Sequence, residues 1–151
     1  MKITTPSFMN NEKIPAEFTA DGKDINPKLE ISEIPENAKS LVLVVDDPDA
    51  QRVVGYTWVH WIVFNIPVGG GRVVIEEDSI PGTPGESTYQ KQNYGGPNPP
   101  KGTGIHHYHF KIYALNKMLP LKKMASPKEI HNSVKKHLLE KAELMGIYSR
   151  D

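Results

Sequence analysis

The stretch Tyr94–Leu115, YGGPNPPKGTGIHHYHFKIYAL, constrains the chain more than any other. Its first half cannot be regular structure. Gly95 to Gly104 holds four glycines and three prolines, and proline fixes φ and removes an N–H donor while glycine opens positive φ. Its second half alternates: His106, Tyr108, Phe110, Ile112 and Ala114 share one face, and His107, His109, Lys111, Tyr113 and Leu115 the other. That is the period of a strand with an apolar inner face. A rigid loop therefore runs straight into a strand that needs a sheet around it, and one imidazole and one phenol stand at the mouth of the apolar face.

With 151 residues, the chain is predicted to form a single domain, residues 1–151, large enough for its own core. Thirteen prolines are spread between short apolar runs, which points to a β-rich domain rather than a disordered one. Eighteen basic side chains balance eighteen acidic ones, with no long basic run, so a nucleic-acid partner is not expected. The absence of cysteine excludes disulfides and thiol chemistry and suits a reducing compartment. The N-terminal residues lack a signal-peptide core, and the runs Leu41–Val45 and Trp61–Phe64 are far too short to span a membrane. A cytoplasmic location without an integral membrane segment is the expectation.

Along the chain, Lys2–Thr4 and Phe18–Thr19 read as short strands in an extended edge segment, followed by a weak alternation at Leu29–Ile31. Ser40–Val45 is a β-branched run of the kind found in a strand buried on both faces, ending at Asp46-Asp47-Pro48-Asp49. Residues 51–55 read as a loop. Tyr56–Ile66 is a long strand with Trp58, His60, Ile62, Phe64 and Ile66 predicted on one face. Gly69–Gly71 suggests a hairpin into Arg72–Glu76, and 77–93 a long polar loop. Ser126-Pro127-Lys128-Glu129 carries the N-cap, first-turn proline and capping-box glutamate of a helix. Ile130, Val134, Leu138, Ala142 and Met145 extend it as an amphipathic helix to about Gly146, before a short final strand, Ile147–Arg150.

Three strand ends offer polar side chains against apolar faces: Asp47, His60 and His106, with Tyr108 beside the last. If they meet, they form a pocket with the indole of Trp58 and a floor of Pro99 and Pro100. Two imidazoles and loop N–H groups suit a phosphate or carboxylate, with Asp47 orienting one imidazole. Each residue also has an ordinary reading: an inward histidine, tyrosine or tryptophan as core, an aspartate before proline as a turn. A zinc site on His107 and His109 is disfavoured because their face also carries Lys111. No Gly-x-Ser-x-Gly and no cysteine mark a nucleophile, so no catalytic residue, metal or cofactor is assigned, and a weak hydrolase using Asp47 and His60 is a minor alternative.

Asp47-Pro48-Asp49-Ala50, Trp58-Val59-His60-Trp61, Gly96–Gly102, His106-His107-Tyr108 and Leu144-Met145-Gly146-Ile147-Tyr148 together resemble the phosphatidylethanolamine-binding protein family, also called Raf kinase inhibitor proteins, in its compact bacterial and archaeal form. The likeness runs from about Thr5 to Arg150. It implies a mainly β fold of two antiparallel sheets with Greek-key connections plus a C-terminal helix, and a ligand site at Asp47, Trp58, His60, Pro99, Pro100, His106 and Tyr108. It further implies cis peptide bonds at Asn98-Pro99 or Pro99-Pro100. The function it implies is a non-enzymatic binding protein for a small anionic, phosphate-like ligand or phosphorylated side chain, modulating a kinase or signalling partner; inhibition of a protease or kinase through the surface is the alternative. The chain lacks the long C-terminal helix of eukaryotic members, so a Raf-type role is not carried over. Relatives are often dimers, and a homodimer stays open. Two departures stand out: Gln51 where the family usually has proline, which would loosen the rim loop, and His107 where it usually has arginine, which makes any charge there pH-dependent.

Overall fold

The computed structural model describes residues 1–151. Strands β1 (Lys2–Thr4), β2 (Leu29–Ser32), β3 (Ser40–Asp47), β4 (Trp58–Ile66), β5 (Val73–Ile75), β6 (Thr83–Pro84), β7 (His106–Leu115) and β8 (Leu138–Tyr148) alternate with a one-turn helix α1 (Gln51–Val54) and a longer helix α2 (Pro127–His137). They form two antiparallel sheets, one of order β1-β2-β5 and one of order β6-β4-β3-β7-β8. The β-branched run that begins at Ser40 becomes the centre of the larger sheet, with β4 on one side and β7 on the other. Burial on both faces is what its composition predicts.

Between the sheets lies the main core: Leu29, Ile31 and Ile75 from the small sheet meet Leu41, Leu43, Val45, Trp61, Val63, Phe110 and Ile112 from the large one. Burying each such aliphatic side chain is worth about 1.5–3 kcal/mol. The opposite face of the large sheet packs Val42, Ile62, Phe64 and Leu115 against Ile130 and Val134 of α2. Helix α2 starts with the capping box read from the sequence, Ser126 accepting from the Glu129 amide and Glu129 reaching back to Ser126.

Several expectations are corrected. Helix α2 stops at His137, and Leu138 onward pairs along the whole of β7. Residues 138–145 are mostly good helix formers, but the free edge of a ten-residue strand presents a row of unpaired N–H and C=O groups, and pairing it outweighs local propensity. Ala142, Leu144, Gly146 and Tyr148 also alternate, and in the strand they face the core. Gly69–Gly71 is no hairpin: β5 pairs with β2, so this connection carries the chain from one sheet to the other. Phe18–Thr19 is not a strand; Ala16–Phe18 forms a turn of 3-10 helix that buries Phe18. The expected loop at 51–55 is instead α1, Gln51–Val54, closed by Gly55 at φ 89°. The Gln51 amide bonds Thr57 Oγ1 at 3.0 Å across the rim.

The single-face reading of β4 also fails. Val45 pairs with Trp61 but Asp46 pairs with Val59, so His60 is an extra residue with no partner on β3. A second irregularity lies between Leu41–Ile66 and Leu43–Val63, where Asn65 sits at φ 53°. Each bulge inverts the pleat. Trp61, Val63 and Ile66 therefore join the core between the sheets, while Ile62 and Phe64 face α2.

At Gly146 the N-terminal segment crosses β8 so closely that an added Cβ would lie 2.5 Å from Ile14 Cγ1 and 2.9 Å from Phe8 Cε2. Ile14 is fully buried, so Gly146→Ala is expected to cost about 1–3 kcal/mol of stability through overpacking. A lower urea midpoint with an unchanged slope is the signature to look for.

Candidate functional site

The bulge decides what His60 does. Its carbonyl, freed from the ladder, accepts the Gly95 N–H at 3.2 Å, and its ring Nδ1 lies 2.8 Å from Gly95 O. A carbonyl only accepts, so Nδ1 carries the proton. This two-point tie fastens the Gly/Pro loop to β4 at the residue that faces the cavity. Gly96 extends the fastening: its N–H donates to Asp24 Oδ1 at 2.7 Å, and a Cβ there would lie 2.3 Å from Phe18 O. The loop needs glycine because it lies directly on the N-terminal segment.

On β7, His106 is almost wholly buried and its Nδ1 lies 2.6 Å from Asp47 Oδ2 at the end of β3. Asp47 Oδ1 accepts the Asp49 N–H at 2.9 Å, capping the 3-10 turn Pro48–Ala50. Tyr108 is buried beside them; its ring meets His60 edge-on at 5.2 Å and stacks on His106 at 6.3 Å.

These groups open onto a cavity of about 410 Å³, within the size range of small-ligand sites. All seven residues singled out from the sequence line it: Asp47, Trp58, His60, Pro99, Pro100, His106 and Tyr108. Five more lining residues were not anticipated: Ala50, Val53 and Val54 from the turn after β3, Tyr89, and Asn98. Tyr89 lies in a polar segment without periodicity, and only its aromatic character marked it. Its ring packs edge-on against Trp58 and His60 at 5.3 and 5.5 Å, and its hydroxyl donates to Gly96 O at 3.0 Å.

The peptide bonds at Pro99 and Pro100 are trans; this wall is held from outside. Arg150 donates to Asn98 Oδ1 at 2.5 Å and to Pro99 O at 3.2 Å, while also gripping Asp21 at 2.6 Å. Tyr148 donates to the other oxygen of Asp21 at 2.6 Å. Across the mouth, Arg52 of α1 donates to Thr103 O and Ile105 O at 2.9 and 2.8 Å and pairs with Asp49. Nothing in the local pattern of Arg52, Arg150 or Asp21 marked these roles.

Burial pushes the His60 imidazole below its ordinary value, an effect that the Gly95 carbonyl and Asp47 only partly offset. It also drives Tyr108 far above the usual phenol range and Tyr89 up to about 12, so both phenols keep their protons at neutral pH. Burial would also raise the carboxyl of Asp49, but His107 outweighs it and holds the group below its ordinary value.

His107 turns away from the cavity. Its Nδ1 lies 2.7 Å from Asp49 Oδ2 and its side chain is 43% exposed, so it is not a cavity-lining group. His109, on the same face, lies 3.2 Å from Glu143. The two histidines thus lie beside separate carboxylates, His107 hydrogen-bonded to its own and His109 Nδ1 without a hydrogen bond, and no three His, Cys, Asp or Glu side chains converge to hold a metal ion.

Thr103 Oγ1 lies 2.9 Å from His106 Nε2, which gives the outline of a hydroxyl–imidazole–carboxylate relay with Asp47. Pro100 O, at 2.7 Å, competes for the hydroxyl's single proton, and Thr103 is not among the cavity-lining residues. The relay closes the loop 100–103 over His106.

A family model described as phosphatidylethanolamine-binding protein matches residues 4–149. The UPF0098 protein of Pyrococcus horikoshii is 44% identical over 149 residues, covering 95% of this chain and 74% of that protein. Among solved structures, a phosphatidylethanolamine-binding protein homologue from Chlamydia trachomatis is similar at a TM-score of 0.90 with 33% identity, over 99% of this chain and 97% of that one. Escherichia coli YbcL, described as a member of the same family, gives a TM-score of 0.89 with 26% identity over 99% and 98% of the two chains. With the two antiparallel sheets and nearly the whole chain matched, this protein belongs to the phosphatidylethanolamine-binding protein family.

Proposed function

We propose that this chain is a non-enzymatic binding protein that holds a phosphate-like group, on a head group or a phosphorylated side chain, in the cavity between β3, β4 and β7. The observation that carries this reading is the convergence of Asp47, His60, His106 and Tyr108 from three strands onto a space whose other walls include Val53, Val54, Trp58, Tyr89, Pro99 and Pro100. Such a site takes a small polar group attached to an apolar one. A phosphorylated side chain as ligand would connect the protein to a kinase pathway. The one hydroxyl bonded to His106, that of Thr103, does not line the cavity, which supports binding over acyl or phosphoryl transfer to a side chain.

Inhibition of a protease or kinase through the surface is the second reading. Its supporting observation is the exposure of Val54, Tyr56 and Ile105 beside the cavity mouth. No helix is long and apolar enough to cross a membrane.

Calorimetric titration with phenyl phosphate tests the first reading. His60→Ala and Tyr108→Phe are each expected to weaken binding by about tenfold or more, the scale of one lost hydrogen bond to a charged ligand. Equal affinity in the wild type and both variants sinks the cavity assignment. Release of phenol that disappears in Asp47→Asn would favour the hydrolase alternative.

The clamp on the Pro99–Pro100 wall gives a second expectation. Arg150, and after it Tyr148, holds the Asp21 carboxyl below its ordinary value of 3.8. A depressed carboxylate contributes its stabilisation above the unfolded value and loses it as pH falls through the folded one. The clamp should therefore be intact at neutral pH and release only in strong acid. Arg150→Ala is expected to weaken phenyl phosphate binding by about three- to tenfold at neutral pH, through loosening of the loop, with far-UV circular dichroism unchanged.

A further inference from the structure

Residues 51–57 run between two fixed points of the cavity wall. Before them, Asp47 caps the 3-10 turn Pro48–Ala50, Asp49 accepts the His107 N–H at 2.8 Å, and Ala50 is buried. After them, Trp58 opens β4. Between these points α1 is one turn of helix, ended by the Gly55 N–H donating to Gln51 O at 3.0 Å, and none of its side chains is buried. Elements without buried apolar contacts sit at the low-stability end of a fold. Val53 and Val54 nevertheless line the cavity, 36% and 45% exposed.

Across the mouth, one side chain holds α1. Arg52 Nη2 donates to Thr103 O and Ile105 O at 2.9 and 2.8 Å, and Nη1 to Asp49 Oδ1 at 3.1 Å. The Gln51 amide stays on the near side, on Thr57. The two ends of the Arg52 bridge are unequal. Thr103 Oγ1 lies 2.7 Å from Pro100 O and 2.9 Å from His106 Nε2, and Gly102 N donates to Arg150 O at 3.2 Å. The 100–103 loop is therefore tied to the body of the protein, and α1 is the side free to move. The Arg52 side chain is 47% exposed, so water replaces its partners when it lets go. Gly55, at φ 89°, supplies a pivot in a conformation that side chains disfavour.

We propose that α1 is a lid on the cavity and that Arg52 is its latch. In the open state the guanidinium leaves the Thr103 and Ile105 carbonyls, and α1 swings between Ala50 and Gly55, carrying Val53 and Val54 off the cavity. A ligand enters and leaves through that gap, and closure sets the two valines against its apolar part and sheds water from it. The purpose of the lid rests on the binding reading above; the motion does not.

The motion is read without ligand, by nuclear magnetic resonance on the full chain. Relaxation dispersion is expected to show microsecond-to-millisecond exchange at the amides of 51–57 and 103–105, with β3 silent. In Arg52→Ala the Gly55 amide should exchange its hydrogen about tenfold faster or more, with β3 protection unchanged. Arg52→Lys keeps the charge but loses the fork that spans two carbonyls, and should resemble Arg52→Ala more than the wild type. Amides of 51–57 that show no exchange and keep wild-type protection in Arg52→Ala overturn the lid, as does a loss of protection shared equally by β3. Stopped-flow mixing with phenyl phosphate, followed by tryptophan fluorescence from Trp58, tests the gating. Arg52→Ala should raise the association and dissociation rates together, by about three- to tenfold, and leave affinity within about threefold. A faster dissociation with an unchanged association rate overturns the gate, because a lost static contact acts that way. If phenyl phosphate does not bind, the cavity reading falls, and the relaxation and exchange results alone decide the lid.

Discussion

One extra residue in β4 is the constraint on which the rest of the site depends. Because His60 has no partner on β3, its carbonyl is available to Gly95 and its ring leaves the face that Ile62 and Phe64 present to α2. A regular strand would have sent the imidazole toward the helix. The bulge aims it at Tyr108 instead, and the same residue anchors the loop that forms the opposite wall. A bulge costs ladder hydrogen bonds. Here the pair of bonds to Gly95 replaces them and gives the loop a fixed position relative to the sheet.

A second layer of restraint comes from charges placed around the cavity rather than in it. Asp47 and His106 satisfy each other where both are buried, and removal of either partner would leave the other without compensation. Arg52 and Arg150 are spent on backbone carbonyls and on Asp49 and Asp21. Their work is to hold loops, and no lysine or arginine lines the interior of the cavity.

Legibility followed the range of the interactions involved. β3 and β7 could be read because their patterns are local: a continuous β-branched run, and ten residues of alternation. The cap of α2 could be read because Ser126, Pro127 and Glu129 act on their own first turn. Seven of the twelve cavity-lining positions were legible as polar or rigid residues at strand ends and, together, as a family pattern. Tyr89, Val53 and Val54 were not, since nothing within their own segments distinguishes a residue that lines a cavity from one that does not. Residues 138–148 misled because their helix-forming composition and four-residue spacing fit a helix as well as their alternation fits a strand.

By itself, then, the sequence determined a β-rich architecture, the inward face of β7 with His106 and Tyr108 on it, and the start of α2. Tertiary structure decided the end of α2, the side of the sheet that His60 occupies, and the grip of Arg150 on the Pro99 wall. The reason is common to all three. Each depends on a partner distant in sequence: the free edge of β7 for β8, the register with β3 for His60, and Asp21 with Asn98 for Arg150. Local propensities are worth tenths of a kcal/mol per residue, and a paired strand edge or a satisfied buried group outweighs them once the chain has closed on itself.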